Sequence, residues 1–310
     1  MKQEYSYEGK LLKTEKNRYF TQNADTLSSA MNGGLILEGI GYLCDHDRHL
    51  HVHIGDIEGI IPRNECVYTA KGLPEKDIAI ISRVGKPVCF KVKGIDKNER
   101  GETVAICSRR EAQRDCMREK ISELSKGDVI EAKITRLDPF GAFCDIGCCI
   151  ISLLPIDCMS VSRISHPRDR FRNGQVIKAV VKSTADEFGR ITLTHRELLG
   201  TWEENASKFT SGQTAAGIVR SIEDYGVFVE LAPNLAGLAE VRPDVQVGQS
   251  AAVFIKNIIP DRMKVKLAII DCTDRESVVP DYEYPEIDHI DRWQYSPDGC
   301  DKLIESVFEG

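Results

Sequence analysis

Gly127-Asp128-Val129, Phe140-Gly141-Ala142-Phe143 and Asp145-Ile146 form one stretch of sequence that decides the fold, because it comes back. Eighty-five residues on, the same places hold Gly212-Gln213-Thr214, Tyr225-Gly226-Val227-Phe228 and Glu230-Leu231. Downstream, Gly174-Gln175 matches Gly248-Gln249 and Arg190-Ile191-Thr192-Leu193 matches Lys264-Val265-Lys266-Leu267, now 74 apart. The 11-residue difference falls around His166-Pro167-Arg168-Asp169, as a loop insertion would. A fainter copy lies upstream, where Gly59-Ile60-Ile61-Pro62 echoes Ser152-Leu153-Leu154-Pro155 and Gly237-Leu238-Ala239-Glu240. Repetition at this period makes the chain an array of like units.

Inside each unit the hydrophobic period is two. Val88, Phe90 and Val92 follow Gly85 at the same offsets as Ile177, Ala179 and Val181 after Gly174, and Ala251, Val253 and Ile255 after Gly248. Ile130, Ala132 and Ile134 alternate with Glu131, Lys133 and Thr135. Each unit thus reads as four or five half-buried strands with Gly and Asp at the turns. So small a sheet leaves open edges, and closing it into a barrel removes them. The fold class expected is all-β: three tandem five-stranded oligonucleotide/oligosaccharide-binding (OB) barrels joined by short α-helical connectors. The divisions are a helical lead-in at 1–34, barrels at 35–110, 127–197 and 212–270, helical linkers at 111–126 and 198–211, and an acidic tail at 271–310.

Composition narrows the class. The 310 residues are 42% hydrophobic and 29% charged, too apolar for a disordered chain. No stretch approaches the roughly 20 apolar residues a membrane span needs, and Met1-Lys2-Gln3-Glu4-Tyr5 has no apolar run behind it, so neither a membrane partner nor a secretory leader is expected. Eleven cysteines without a Cys-x-x-Cys pair suit reduced thiols in the cytoplasm. The net charge of −7 is unevenly spread: residues 271–310 hold 12 acids and 3 bases, leaving 36 acids against 38 bases elsewhere. The pI therefore describes the tail more than the barrels.

Phe140/Phe143 and Tyr225/Phe228 are the informative side chains. Two aromatics three apart on a regular strand face opposite ways, and a Gly between them permits a bulge or turn that brings both rings to one face. Two such rings make a platform for successive bases. Lys178, Lys182, Arg190 and Arg196 lie off-phase from the core set of the second unit, as do Lys256, Lys264 and Lys266 in the third and Lys91 and Lys93 in the first. Cations beside aromatics suit a single-stranded polyanion. His49, His51 and His53, with His46 nearby, share a strand face that reads as solvated or weakly base-stacking. Apart from Asp45, Asp47 and Asp56 in flanking turns, no ligands complete a metal site, so no metal and no cofactor is expected. No phosphate loop, nucleophile elbow or His-Glu-x-x-His is present, and neither an enzyme activity nor a small-molecule substrate is expected.

The order Gly-x-Val, Phe-Gly-Ala-Phe, Asp-Ile-Gly, Gly-Gln-Val and Gly-Arg-Ile-Thr-Leu-Thr-His-Arg resembles the S1 RNA-binding domain, named for a small-subunit ribosomal protein. The resemblance covers about 35–270 and is strongest at 127–197. In that family the RNA face uses two aromatics, a His in the third strand, and an Asp followed four residues later by Arg. The resemblance implies such roles for Phe140, Phe143, Asp186 and Arg190 in the second unit, with Pro155 at the His place. In the third it implies them for Tyr225 and Phe228, with Lys264 for the Arg, Glu240 for the His and Pro260 for the Asp. The first unit has Pro62 at the His place and no aromatic pair. The second barrel is thus expected to be the main RNA site and the first a structural or protein-facing one. The expected partners are single-stranded RNA or mRNA and the small ribosomal subunit. The rivals are a ribosome-independent regulator of translation or RNA turnover, and a protein-interaction scaffold.

Overall fold

In the computed structural model, which describes residues 4–69, 76–184, 186, 190–274 and 280–308, the nine residues at matched offsets after Gly85, Gly174 and Gly248 are all buried at 6% exposure or less. The first five strands are β1 (Leu37–Cys44), β2 (Leu50–Ile54), β3 (Ile57–Ile61), β4 (Pro87–Lys97) and β5 (Thr103–Ser108). The next five are β6 (Val129–Asp138), β7 (Gly141–Asp145), β8 (Ile151–Pro155), β9 (Val176–Ser183) and β10 (Thr192–Thr194). The last set is β11 (Thr214–Glu223), β12 (Gly226–Ala232), β13 (Leu235–Ala239), β14 (Ser250–Ile259) and β15 (Lys264–Thr273). Each set forms one ring in which the third strand pairs with the fifth, and the fourth returns to the first. The third–fifth seam is parallel in all three rings. In the second ring it is thin, a single pairing of Thr192 with Leu153.

Helices are few. Arg109–Glu119 fills the first connector, started by Ser108, whose hydroxyl accepts the Glu111 amide at 2.9 Å. The second connector is less helical than its composition suggests: Trp202–Ala206 is a single turn and a half, opened by a Thr201/Glu204 capping box. Gly200, at φ 79°, fixes its start. The lead-in contains Glu15–Phe20 and Ala24–Asn32.

The contacts group the chain into two compact units. One comprises 1–124 with 145–151 and 185–190; the other comprises 125–144, 152–184 and 191–310. In the first unit, Leu27 and Ala30 of the lead-in join the ring core of Leu50, Val52, Ile54 and Phe90. In the second unit, Arg170 is fully buried and donates to both carboxylate oxygens of Glu230 on β12, at 3.0 and 2.6 Å. Arg220 of β11 grips the same carboxylate at 3.0 Å through two nitrogens and reaches Asp169 at 3.2 Å.

Residues 280–308 do not hang free as an acidic tail. Trp293 and Tyr295 belong to the third ring's core cluster, Phe308 packs with Val180 and Leu198, and β16 (Arg292–Gln294) pairs with β17 (Glu305–Val307). The acids here are carried on a segment anchored by aromatics, which a charge count does not register.

Candidate nucleic-acid interface

The third ring gathers its expected residues at one place. A cleft of about 540 Å³ is lined by Tyr225, Phe228, Leu238, Glu240, Lys256, Met263, Lys264 and Lys266, among others. Alternation explains the cations: Val265 and Leu267 of β15 point into the core, so Lys264 and Lys266 point out. Neither lysine has an ion-pair partner among the described residues. Lys256 donates to Glu240, which stands at the family's His place, at 2.7 Å. That contact and its charge hold the Glu240 carboxyl below its usual range.

Tyr225 is 70% exposed and meets Phe228 edge to face, centroids 6.1 Å apart at 89°. Phe140, 55% exposed, meets Phe143 in the same way at 5.9 Å and 89°. The two pairs share one local cause. Tyr225 and Phe140 sit in the turns that lead into β12 and β7, and the second ring of each pair lies on the strand. The glycine between them is not the site of a bulge. Gly141 and Gly226 stay in ordinary extended backbone, where a Cβ would stand 2.6 Å from the Leu154 carbonyl and 2.7 Å from that of Ala239. The residue is small because the next strand is close.

The second ring distributes its cations differently. Lys178 reaches the Pro285 carbonyl at 3.5 Å, Lys182 the Cys158 sulfur at 3.1 Å, and Arg196 both Glu197 at 3.3 Å and Ser306 at 3.2 Å. Three cations expected to face RNA are thus turned to protein groups, two of them by the C-terminal segment. Asp186 and Arg190 are exposed and bind each other at 2.8 Å. The cation on the platform is one the repeat comparison passes over: the Arg136 guanidinium lies 5.2 Å from the Phe143 ring centre. Its place in the third ring is Ser221, so no repeated signal marks it.

The first ring also holds an aromatic contact where none is expected, with Tyr42 stacked on His53. Elsewhere in the first unit, Glu8, Asp145 and Cys149 bring ligand atoms within 4.8 Å of one another. Burial would raise Glu8, but Arg109 at 2.8 Å, joined by Arg83 at 3.1 Å, pulls it below its ordinary value. Two guanidiniums already balance the charge there, so the group does not fit a cation.

The S1 RNA binding domain model matches residues 123–196. A small ribosomal subunit protein bS1 homolog of Bacillus cereus is 28% identical over 215 residues, covering 65% of this chain and 56% of that protein. The corresponding Bacillus subtilis homolog is 30% identical over 183 residues, covering 57% and 47%. The chain spans about half the length of these curated relatives. Among solved structures, a multidomain protein with nucleic acid binding domains from Streptococcus pneumoniae aligns at 14% identity over 77% of this chain and 74% of that one, with a TM-score of 0.24. No helix among the described residues is long and apolar enough to cross a membrane. Residues 123–196 thus match the S1 RNA binding domain, and the chain is similar to bS1 ribosomal proteins over about half their length.

Proposed function

We propose that this chain binds single-stranded RNA, mRNA in particular, and works in translation at the small ribosomal subunit in the cytoplasm. On this reading each five-stranded ring is an OB barrel. Bases stack on Tyr225/Phe228 and Phe140/Phe143, and Lys264, Lys266, Lys256 and Arg136 meet the backbone. The observation that carries the reading is the third ring's cleft, which unites an exposed aromatic pair with two unpaired lysines. It ranks the third ring above the second as a phosphate-binding surface, the reverse of the order that motif completeness suggests. The relatives are ribosomal proteins, and no chemical step is assigned to the chain.

Fluorescence anisotropy with an unstructured RNA tests it. If about four phosphates are neutralised, log K falls against log salt with a slope near −3, from about −0.7 per phosphate. Absence of saturable binding, or a flat salt response, rejects the reading and leaves a protein scaffold.

A further inference from the structure

Tyr42 and His53 lie ring to ring on neighbouring strands, centroids 4.0 Å apart and planes within 16°. They meet because the β1–β2 ladder shifts register between Gly41 and Leu43, leaving Tyr42 outside the pairing. Glu58 holds the pose: it accepts the Tyr42 hydroxyl at 2.7 Å and lies 2.8 Å from Nδ1 of His51. The other nitrogen of His51 is 3.3 Å from Asp45. Burial and the Glu58 contact push the Tyr42 phenol up to about 12, so its proton stays in place at neutral pH. Tyr42 is 36% exposed, His53 is exposed, and the ring nitrogens of His53 have no partner among the described residues.

The strand register says which face this is. His51 pairs with Ile60 and Val52 with Gly59, as Phe228 pairs with Leu238 and Val229 with Gly237. Both rings carry the same shift opposite, between Gly41 and Leu43 and between Val219 and Ser221. His51 therefore holds the place of Phe228, and His53 that of Glu230. An aromatic surface of different make-up occupies the strand face on which the third ring presents Phe228.

We propose that Tyr42 and His53 form a stacking site for one nucleobase of single-stranded RNA; this rests on the function proposed above. The rings are already ordered by each other and by Glu58, so little side-chain freedom is lost when a base joins the stack. The open nitrogens of His53 can meet a base edge. Asp45 and Glu58 flank the site and would repel a phosphate, so it takes the base. Its contribution is therefore independent of salt, unlike that of the third ring.

The test is anisotropy with a fluorescein-labelled unstructured RNA across a salt series, using the full chain and its Tyr42→Ala, Tyr42→Phe, His53→Ala and Tyr225→Ala variants, each checked for folding by circular dichroism. Tyr42→Ala and His53→Ala should bind about tenfold more weakly at every salt concentration with the slope unchanged, within the range for one stacked base. Tyr42→Phe keeps the ring but loses the Glu58 tether and should bind between the parent and Tyr42→Ala. Should Tyr42→Ala fail to fold, His53→Ala decides alone. If both alanine variants bind normally while Tyr225→Ala is weakened, this site is wrong and the proposed function stands. If no variant weakens binding, both fall. Loss of binding to an arginine-rich peptide in Tyr42→Ala, with RNA binding intact, overturns the site in favour of a protein partner.

Discussion

The hydroxyl of Tyr284 donates to Nε2 of His195 at 2.9 Å, and Nδ1 of the same ring faces the Met159 carbonyl at 3.1 Å. A carbonyl only accepts, so Nδ1 carries the proton and Nε2 receives the phenol. The imidazole is fully buried and neutral, with Phe171, Tyr282 and Tyr284 around it. The C-terminal segment is thus tied to the second ring through one uncharged histidine.

This arrangement sets a pH dependence. Burial pushes His195 down to about 4 from an ordinary value of 6.5. The unfolded chain takes up the proton first as pH falls, so stability is lost from about 6.5 down to about 4 and no further below that. The loss approaches about 3 kcal/mol. Both tryptophans, Trp202 and Trp293, lie in the second unit and report its unfolding by fluorescence. The difference between parent and His195→Gln in urea midpoint should open over that window. A parallel pair of pH profiles would disprove the linkage.

On the function proposed above, Phe140→Ala and Tyr225→Ala should each weaken RNA binding by about 1–3 kcal/mol, the loss for one stacked base. Their exposure leaves the fold nearly untouched, with unfolding free energies from urea titration expected within about 0.5 kcal/mol of the parent. Unchanged affinity in both, with the proteins folded, would remove the platforms from the mechanism.

Glu230 carries two guanidiniums, so its two sides are unequal under mutation. Glu230→Ala leaves Arg170 and Arg220 facing each other without their shared carboxylate and should cost about 3–5 kcal/mol. Arg170→Ala should cost less, because Arg220 still pairs with Glu230. Denaturant titrations of the two variants decide it, and the reverse order would show that Arg170, not Glu230, is the centre of the cluster.

Glu38 gives the first unit a dependence of opposite sign. Burial pushes it up to about 7, although the amides of Gly9 and Leu12 donate to it at 2.9 and 2.8 Å. The native state prefers the protonated acid, so stability is greatest below about 4.5 and is lost as pH rises through about 7. Hydrogen exchange at residues 9–12, corrected for intrinsic rates, should quicken across that window in the parent and not in Glu38→Gln. Equal pH profiles would refute it.

Strand alternation was legible because burial in a small ring leaves no choice of face: Val265 and Leu267 must go in, so Lys264 and Lys266 go out. The same logic failed at Tyr42. A one-residue register shift breaks the alternation there, and its partner His53 comes from another strand, which spacing along the chain does not reveal. Lys178 and Arg196 have the right phase, but their donors are taken by Pro285 and Ser306, more than a hundred residues away. The twelve acids of 271–310 masked Trp293, Tyr295 and Phe308, whose burial decides where that segment lies.

The insertion that lengthens the second repeat ends beside Arg170, and Arg170 is spent on Glu230 of the third. A copy that grows a loop to grasp its neighbour stops being an interchangeable bead. The charges it has sequestered cannot be exposed in one ring without stranding their partners in the other, so the two rings should unfold together. On the function proposed above, an RNA strand crossing both rings would meet two platforms whose spacing is set by the protein and not by the strand.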